Sequence, residues 1–201
     1  VLSYPGILPN VDVLQQAASG TGIVNTAAEV DGLVRRVPML VRVGESLYPS
    51  LGLDVLRGLA GDPSYQARAE SSMQSVRVPN YSTIETDSSG RVWVDWNTTF
   101  SPEPLTGTIV FVGVTAAGVS PLVPSPRGLM YPHQIQANLF ETLLNGTSPV
   151  RPDWALGAEV LAMLLLGLVT AWSARSLPVL GVPAGVILIG ALAASCSVWV
   201  Y

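Results

Sequence analysis

The sequence predicts an α/β fold class, with a mixed-sheet domain followed by an all-α transmembrane helical hairpin. Three observations predict it. Residues 1–149 alternate loosely between helix-like and strand-like segments, which is typical of an α/β domain. Residues 108–114 are almost fully apolar, as in a central strand that is covered on both faces. Residues 150–201 hold two long apolar runs, 154–174 and 177–201.

The first domain divides into short elements. In chain order these are a helix from Asn10 to Gly20, strands over 21–27 and 33–43, a helix over 48–61, strands over 72–78, 83–86 and 91–96, the strand 108–114, and a helix over 133–145. Asn10 can cap the first helix, and Gly20 follows its last apolar residue. The pair Asp31-Gly32 between two apolar segments is typical of a hairpin turn. Pro38 cannot donate to a strand ladder, which predicts an edge position or a bulge.

The later elements follow from similar patterns. Apolar residues at helical spacing between Leu51 and Leu59 form the stripe of the second helix. A polar linker, 61–71, separates this helix from the short strands, and 87–90 is a turn between the last two of them. A loop rich in Gly and Pro over 114–132 leads to the last helix. That helix has apolar residues at helical spacing between Ile135 and Leu143.

Charge and composition exclude several classes of protein. The net charge is −4 and the pI is about 4.8, which argues against nucleic-acid binding because phosphates require a basic surface. One Cys excludes a disulfide framework and a thiolate metal site, and one His without a metal motif argues against a zinc enzyme. The acids are scattered, and His133 is expected to cap a helix or lie on the surface. We therefore predict no catalytic residue, no metal, no cofactor and no enzymatic activity for this chain.

Each apolar run is long enough to span a bilayer. A helix rises about 1.5 Å per residue, and the hydrocarbon core is about 30 Å thick. The run 154–174 holds one charge, Glu159, and the run 177–201 holds none. The alternative is a pair of buried core helices. Arg175 lies in the turn between the runs and predicts a cytoplasmic turn, so residues 1–150 are expected outside a bacterial inner membrane, with the lipid bilayer as a partner.

The beginning and end of the sequence fit this arrangement. Val1–Leu8 is neither basic nor long enough for a signal peptide, although an exported domain needs an export signal. We therefore expect the chain to continue upstream of Val1. Tyr201 falls on the outer side in this topology, which predicts a continuation beyond it as well.

Arg35 and Arg36 are candidate ligand-binding residues because a guanidinium is a natural clamp for a carboxylate or a phosphate. Successive strand residues face opposite sides of a sheet, so the two side chains are not expected to point into one pocket. The alternative is structural, in which one of them pairs with Asp31 or a neighbouring acid and the other is solvated.

Thr115 is a third candidate, in the Gly-rich loop Gly113–Gly118 that follows the predicted central strand. Ligands of open α/β sheets bind beyond the carboxyl ends of strands, and Gly-rich turns can hold anions. A nucleotide site is excluded by the motif itself, because no Lys follows Gly118. The alternative is a loop whose glycines only permit tight turns.

Several segments carry a family resemblance, and in chain order they are Gly22–Asn25, Asp31–Pro38, Pro49–Leu53, Leu105–Gly118, Gln136–Asn138, Thr142–Gly146 and Arg151-Pro152. In this order they resemble the CHASE type-2 sensors, which are cyclase/histidine-kinase-associated extracellular sensory domains. The resemblance covers about residues 6–200. It implies an extracytoplasmic sensor followed by transmembrane helices and a cytoplasmic output domain. Asn138, within a matched segment, is a further candidate ligand-binding residue.

The sequence also departs from that family. Ser120 and Pro121 stand where members usually carry an acid, and the stretch from His133 to Gln136 lacks the usual Gly and Glu. The amino-terminal part of the family domain is not recognised. If the changed positions contact a ligand, the protein is expected to sense a different one or to be constitutive.

Three functions remain open from the sequence. The first is the extracytoplasmic sensor and membrane anchor of a bacterial receptor, relaying to an adenylate/guanylate cyclase or a histidine kinase, with a homodimer and an unknown extracytoplasmic ligand or partner. The second is a ligand-free dimerisation or assembly module of a membrane protein. The third is a membrane-anchored enzyme that uses the loop Gly113–Gly118.

Overall fold

We analysed a computed structural model that describes residues 1–70, 72–97, 106–116, 118–149 and 154–176, with side chains described over 157–172 in the last range. The chain divides between Val150 and Arg151 into two units, each described by itself below. The elements of the first unit are β1 (Leu2–Tyr4), α1 (Asp12–Ala17), β2 (Arg36–Pro38), β3 (Leu40–Val43), β4 (Ser46–Pro49), α2 (Leu51–Leu59), β5 (Gln66–Ala69), β6 (Met73–Val78), β7 (Ser82–Glu85), β8 (Arg91–Trp93), β9 (Val123–Ser125), β10 (Gly128–Met130) and α3 (Pro132–Asn145). The second unit holds α4 (Trp154–Ser176). A mixed α/β domain is therefore confirmed.

The described strands form four small sheets. Strand β3 lies between β1, to which it is parallel, and β4, to which it is antiparallel. Strand β6 lies between β5 and β7, with all pairs antiparallel. Strand β2 pairs antiparallel with β8, so that Val37 lies opposite Val92, and β9 pairs with β10 as a hairpin. Strand pairing is thus spread over short ladders.

The core is formed by α2, α3 and the inner faces of the strands. The buried apolar residues are Val34, Val37, Met39, Leu40, Leu53, Leu56, Met73, Val76, Val78, Ile84, Val92, Val94, Ile135, Leu139, Phe140 and Leu143. The predicted stripe of α3 is confirmed by the burial of Ile135 and Leu143. The stripe predicted for α2 is wrong at its end, because Leu59 is exposed and the buried face centres on Leu53 and Leu56.

The start of α2 is a point of close backbone approach. Ile23 forms a parallel bridge with Ser50, and the Leu51 N–H donates to the Ile23 carbonyl over 3.0 Å. A Cβ on Gly22 would lie 2.4 Å from the Leu51 Cα. Only a glycine permits this contact, because it has no Cβ that would overlap the backbone of Leu51.

The predicted hairpin through Asp31-Gly32 is wrong. In the segment 21–27 only the bridge at Ile23 has strand geometry, and the segment 33–43 is divided at Met39 into β2 and β3. The Met39 N–H donates to the Gly90 carbonyl and its own carbonyl accepts from Ser50, so the residue connects two sheets. Pro38 ends β2, as expected of a residue that cannot continue a ladder.

Several other elements follow the sequence closely. The short strands β6, β7 and β8 lie within or beside their predicted segments, and a helix is present at Asp12–Ala17. Its N-cap is Val11, whereas Asn10 donates a side-chain hydrogen bond to Gln15. The polar linker 61–71 was predicted without a strand, yet it contains β5, because strand pairing with β6 requires no apolar face.

The prediction of a central strand over 108–114 is wrong. Within the described residues this segment forms no strand, and Val112 is 88% exposed. Phe111 is the exception, because its ring packs on Phe140 with centroids 5.8 Å apart. An apolar sequence favours a buried strand only where neighbouring strands can satisfy its backbone, and the described residues place none beside it.

The second unit is described through α4. Its described side chains are mostly exposed and apolar. Within the described residues, we find no helix that combines the length and the apolar character needed to cross a membrane. The second predicted run, 177–201, lies outside the described residues. The assignment of residues 1–149 to a sensor and of 150–201 to a membrane hairpin stays a prediction.

The close approach at Gly22 gives a first test. We expect Gly22→Ala to lower the free energy of unfolding by about 2 kcal/mol, because its Cβ would overlap the backbone of Leu51. Gly58→Ala is the control, since a Cβ there meets open space on a helix and is expected to leave stability unchanged or raise it. Chemical denaturation measures both. Equal stability of the two variants would contradict the packing described here.

Candidate functional site

A cavity of about 470 Å³ lies between the turn before β2 and the start of β8. Its lining residues are Ala28, Glu29, Val30, Asp31, Arg35, Arg36 and Arg91. Five of these seven carry a charge, so the cavity is an ionic site. Two of the candidate ligand-binding residues, Arg35 and Arg36, line it together.

The turn from Glu29 to Leu33 directs two carboxylates toward these arginines. The Glu29 N–H donates to the Leu33 carbonyl, and the Gly32 N–H donates to the Glu29 carbonyl, each over 2.9 Å. Gly32 has a φ of +83°, a value that side chains disfavour. Asp31 accepts from the Leu33 N–H over 3.1 Å. Asp31-Gly32 therefore forms a turn, as predicted, although it does not join two strands.

Arg36 is the most completely bonded of the arginines. Its Nε donates to Glu29 over 2.7 Å, and its Nη1 donates to Asp87 over 2.7 Å. The guanidinium also lies 4.9 Å from the centre of the Trp93 ring, a cation–π contact. Desolvation opposes the charge, but the hydrogen bonds and charges of the two carboxylates prevail and raise the pKa of Arg36. Arg36 is thus a structural cation of this site.

Asp87 connects Arg36 and Arg91, two arginines of the cavity lining. Its carboxylate accepts from Arg36 and from the Arg91 Nε, the latter over 3.0 Å. It also accepts from the backbone N–H groups of Ser89 and Arg91, each over 2.9 Å. These bonds close the turn between β7 and β8, which the sequence predicted, and they fix Arg91 beside the cavity.

Arg35 is held more loosely than Arg36. Its Nη2 lies 2.7 Å from Asp31, and its Nη1 lies 3.9 Å from Glu29. The Arg35 side chain is 31% exposed and that of Asp31 is 50% exposed. The hydrogen bond from Arg35, followed by that from the Leu33 N–H, lowers the pKa of Asp31, and the same pair raises the pKa of Arg35.

The expectation that Arg35 and Arg36 cannot face one pocket is wrong. It assumed that both lie within a strand, where successive side chains alternate. Strand β2 begins at Arg36, so Arg35 lies before the strand, although its carbonyl still accepts from the Val94 N–H over 3.1 Å. Both guanidiniums approach Glu29 as a result.

Thr115 lies apart from this cavity. It is exposed, and its backbone carbonyl accepts from the Tyr131 hydroxyl over 2.9 Å. Tyr131 is the N-cap of α3 and stacks on His133 with ring centroids 5.8 Å apart. A Cβ on Gly113 would lie 2.0 Å from the His133 Nδ1, so this ring covers the glycine. His133 was expected to cap the helix or lie on the surface. The N-cap is Tyr131, and the half-buried His133 ring packs against the loop 113–116.

Asn138 is buried inside the domain and does not line the cavity. Its side-chain amide donates to the Gln134 backbone carbonyl over 2.8 Å, and its backbone carbonyl accepts from the Thr142 hydroxyl over 2.7 Å. Thr142 in turn accepts from the Asp95 N–H over 2.9 Å. In this structure Asn138 is part of the internal bonding of α3, and its role as a ligand contact stays a prediction.

The sequence did not single out three members of the ionic site, Glu29, Asp87 and Arg91. Asp87 and Arg91 flank a turn that was recognised, but Asp87 lies 51 residues from Arg36 and only the fold brings them together. Among the described residues, no group of His, Cys, Asp and Glu is arranged to hold a metal ion. The site can bind charged groups through hydrogen bonds, and its lining offers both donors and acceptors.

Comparison with protein families matches residues 4–172 to the model of the CHASE2 domain. The match covers more than half of the 201 residues. No curated protein and no solved structure matches the chain.

The bonding of the two arginines predicts unequal effects of substitution. We expect Arg36→Ala to lower the free energy of unfolding by about 2 kcal/mol, because two half-buried carboxylates each lose a 2.7 Å charged bond, and Glu29 then has no closely bonded cation. Arg35→Ala is the matched control and is expected to change stability far less, because its pair is open to solvent. Urea denaturation monitored by tryptophan fluorescence measures both. A larger loss for Arg35→Ala would contradict these assignments.

Proposed function

This chain belongs to the CHASE2 domain family, and from that premise we propose that it is the extracytoplasmic sensor region of a bacterial transmembrane receptor. CHASE2 domains are extracellular sensory domains of signalling receptors. We propose further that the receptor relays its signal to a cytoplasmic adenylate/guanylate cyclase or histidine kinase.

The membrane anchor in this proposal is the predicted hairpin. The run 154–174 holds one charge and the run 177–201 holds none, and each has the length of a bilayer-spanning helix. Arg175 between them favours a cytoplasmic turn. These sequence features support the placement of residues 1–150 on the outer side.

The observation that carries the sensor proposal is the ionic cavity at Arg36. Its lining comes from the turn around Glu29, from Arg35 and Arg36 at the start of β2, and from Arg91 of β8. Carboxylate–guanidinium bonds link these parts to one another and to Asp87. A ligand that competes for those groups changes the balance between two arrangements of the turns. Such a two-state element is what a sensor needs in order to convert occupancy into motion.

The relay in this proposal runs through a short connection. Helix α3 ends at Asn145 and α4 begins at Trp154, so only residues 146–153 separate the two helices in the sequence. A short connection absorbs little displacement, so a shift of the outer domain is passed on to the membrane helix. In a homodimeric receptor the output domains would respond to that shift.

A second candidate is a ligand-free dimerisation or assembly module. It is favoured by exposed apolar side chains, among them Val13 and Leu14 on α1 and Val112 in the segment 108–114. Deletion of residues 1–150 separates the two proposals. An assembly module would lose dimerisation, whereas a sensor would lose its response and still assemble.

A linker insertion in the full receptor tests the relay. Asp87→Asn weakens the ionic cluster and is expected to change the basal activity of the output domain. We expect that change to be about tenfold, since allosteric couplings are typically of this size. A flexible Gly/Ser segment inserted at Ser148 is expected to abolish it. The control carries the same segment between Gly44 and Glu45, an exposed turn, and should keep the effect.

The measurement is the activity of the output domain in membranes, together with cross-linking to confirm assembly. Loss of the Asp87→Asn effect only in the Ser148 insertion supports the relay. If the Asp87→Asn effect persists in both insertions, the outer domain does not act through this connection.

A further inference from the structure

We infer that the ionic cavity binds a small zwitterion, namely a free amino acid, with Arg35 and Arg91 bonded to its carboxylate and Glu29 and Asp31 bonded to its ammonium group. This inference rests on the proposed sensor function and adds the class of ligand to it.

The cavity has the size of a small-molecule site. Its volume of about 470 Å³ lies within the range of about 300–1,000 Å³ that is usual for ligand pockets. The half-exposed side chain of Asp31 lies in its wall, so a ligand reaches the charged lining from solvent. An amino acid fits this volume with room for a side chain.

Two guanidiniums in the lining have nitrogen atoms available for a ligand. Within the described residues, Arg91 donates to Asp87 only through its Nε, and its two terminal nitrogens have no hydrogen-bond partner. Arg35 has a close bond to Asp31 through Nη2, and its Nη1 has only the 3.9 Å contact to Glu29 within the described residues. A planar guanidinium with two free N–H groups matches the two oxygens of a carboxylate.

Arg36 is excluded from this role by its existing bonds. Its Nε and Nη1 are taken by Glu29 and Asp87, and its face is covered by Trp93. A ligand carboxylate would have to replace both internal partners to gain the same contacts. Arg36 therefore holds the walls in place, and the neighbouring arginines are the ligand contacts.

Two carboxylates supply the complementary acceptors. Glu29 accepts from Arg36 through Oε1, whereas its Oε2 has only the 3.9 Å contact to Arg35. Asp31 accepts from the Leu33 N–H through Oδ1 and from Arg35 through Oδ2, and it is half exposed. An ammonium group has three donors and binds well between such oxygens.

Charge balance selects a zwitterion over a simple ion. The cluster holds three guanidiniums, Arg35, Arg36 and Arg91, and three carboxylates, Glu29, Asp31 and Asp87, so its charges cancel. A lone anion would displace Asp31 from Arg35 and leave that carboxylate beside an added negative charge. A lone cation would create the opposite imbalance. An amino acid brings both charges, so every charged group keeps a partner of opposite sign.

The direct test is calorimetric titration of the whole 201-residue chain in detergent micelles with each of the twenty standard L-amino acids. We expect at least one to bind. Its two single-charge analogues, which for alanine are propionate and ethylamine, are expected to bind at least about tenfold more weakly, because each loses one set of charge-assisted bonds. Absence of binding by all twenty would overturn the inference, as would an analogue that binds as tightly as the amino acid.

Substitutions locate the binding in the cavity. Arg91→Gln and Arg35→Gln are each expected to weaken the binding of the amino acid by at least about tenfold, because each removes a contact to its carboxylate. Arg77→Gln is the control, because Arg77 is an exposed arginine on β6 away from the lining. Thermal denaturation of each variant verifies folding, and Arg35→Gln is the safer variant since Arg35 is the least tightly held. Equal weakening by Arg77→Gln would overturn the placement.

The outcomes of this test and of the linker test are separable. If no amino acid binds but the Ser148 insertion still abolishes the Asp87→Asn effect, the sensor proposal stands and the ligand class is wrong. If an amino acid binds but the insertion has no effect, the ligand class stands and the relay is wrong.

Discussion

The Arg36 guanidinium bonds two turns that lie beside the short ladder between β2 and β8. It donates to Glu29 in the turn before β2 and to Asp87 in the turn before β8, with both distances at 2.7 Å. The ladder between β2 and β8 is three residues long, and one backbone hydrogen bond continues the pairing on each side of it. Because charge-assisted bonds at low solvent exposure are stronger than neutral ones, they set the positions of the walls and hence the shape of the cavity.

A second set of polar contacts, on α3, fixes the helices behind the site. Gln136, Asn138 and Thr142 are fully buried on this helix. The Gln136 side chain accepts from the Gly52 N–H over 3.1 Å and so joins α3 to the start of α2. A buried polar group without a partner is costly, so each of these bonds favours one packing arrangement. The Gln136 Nε2 is the exception, since it is buried and has no hydrogen-bond partner within the described residues. In this domain polar side chains therefore orient the helices, and apolar burial supplies the bulk of the stability.

The sequence was informative where a local pattern was sufficient. Helix α3 follows from the spacing of Ile135 and Leu143 and from Gly146, which adopts the left-handed conformation after the last turn. The turn at Asp87 follows from its composition, since its carboxylate bonds the backbone just ahead of it. The family resemblance was confirmed over residues 4–172, because its motifs recur in a fixed order along the chain.

The predictions that failed depended on tertiary contacts, which a local sequence pattern does not contain. The segment 108–114 has the composition of a buried strand, but composition does not supply a neighbour for its backbone. The joint orientation of Arg35 and Arg36 depends on a strand boundary between them, which propensities do not locate to one residue. The pairing of Arg36 with Asp87 depends on tertiary structure alone. Half of the ionic site was therefore visible from the sequence as single charges, and its geometry was not.

A double-mutant cycle between Arg36 and Asp87 tests most directly whether their bond organises the site. The free energies of unfolding of Arg36→Gln, Asp87→Asn and the double variant are compared with that of the unaltered chain. We expect a coupling energy of about 1 kcal/mol or more, because each substitution removes the same charge-assisted bond. Additive effects, with a coupling energy of zero within error, would contradict the view that this interaction holds the cavity together.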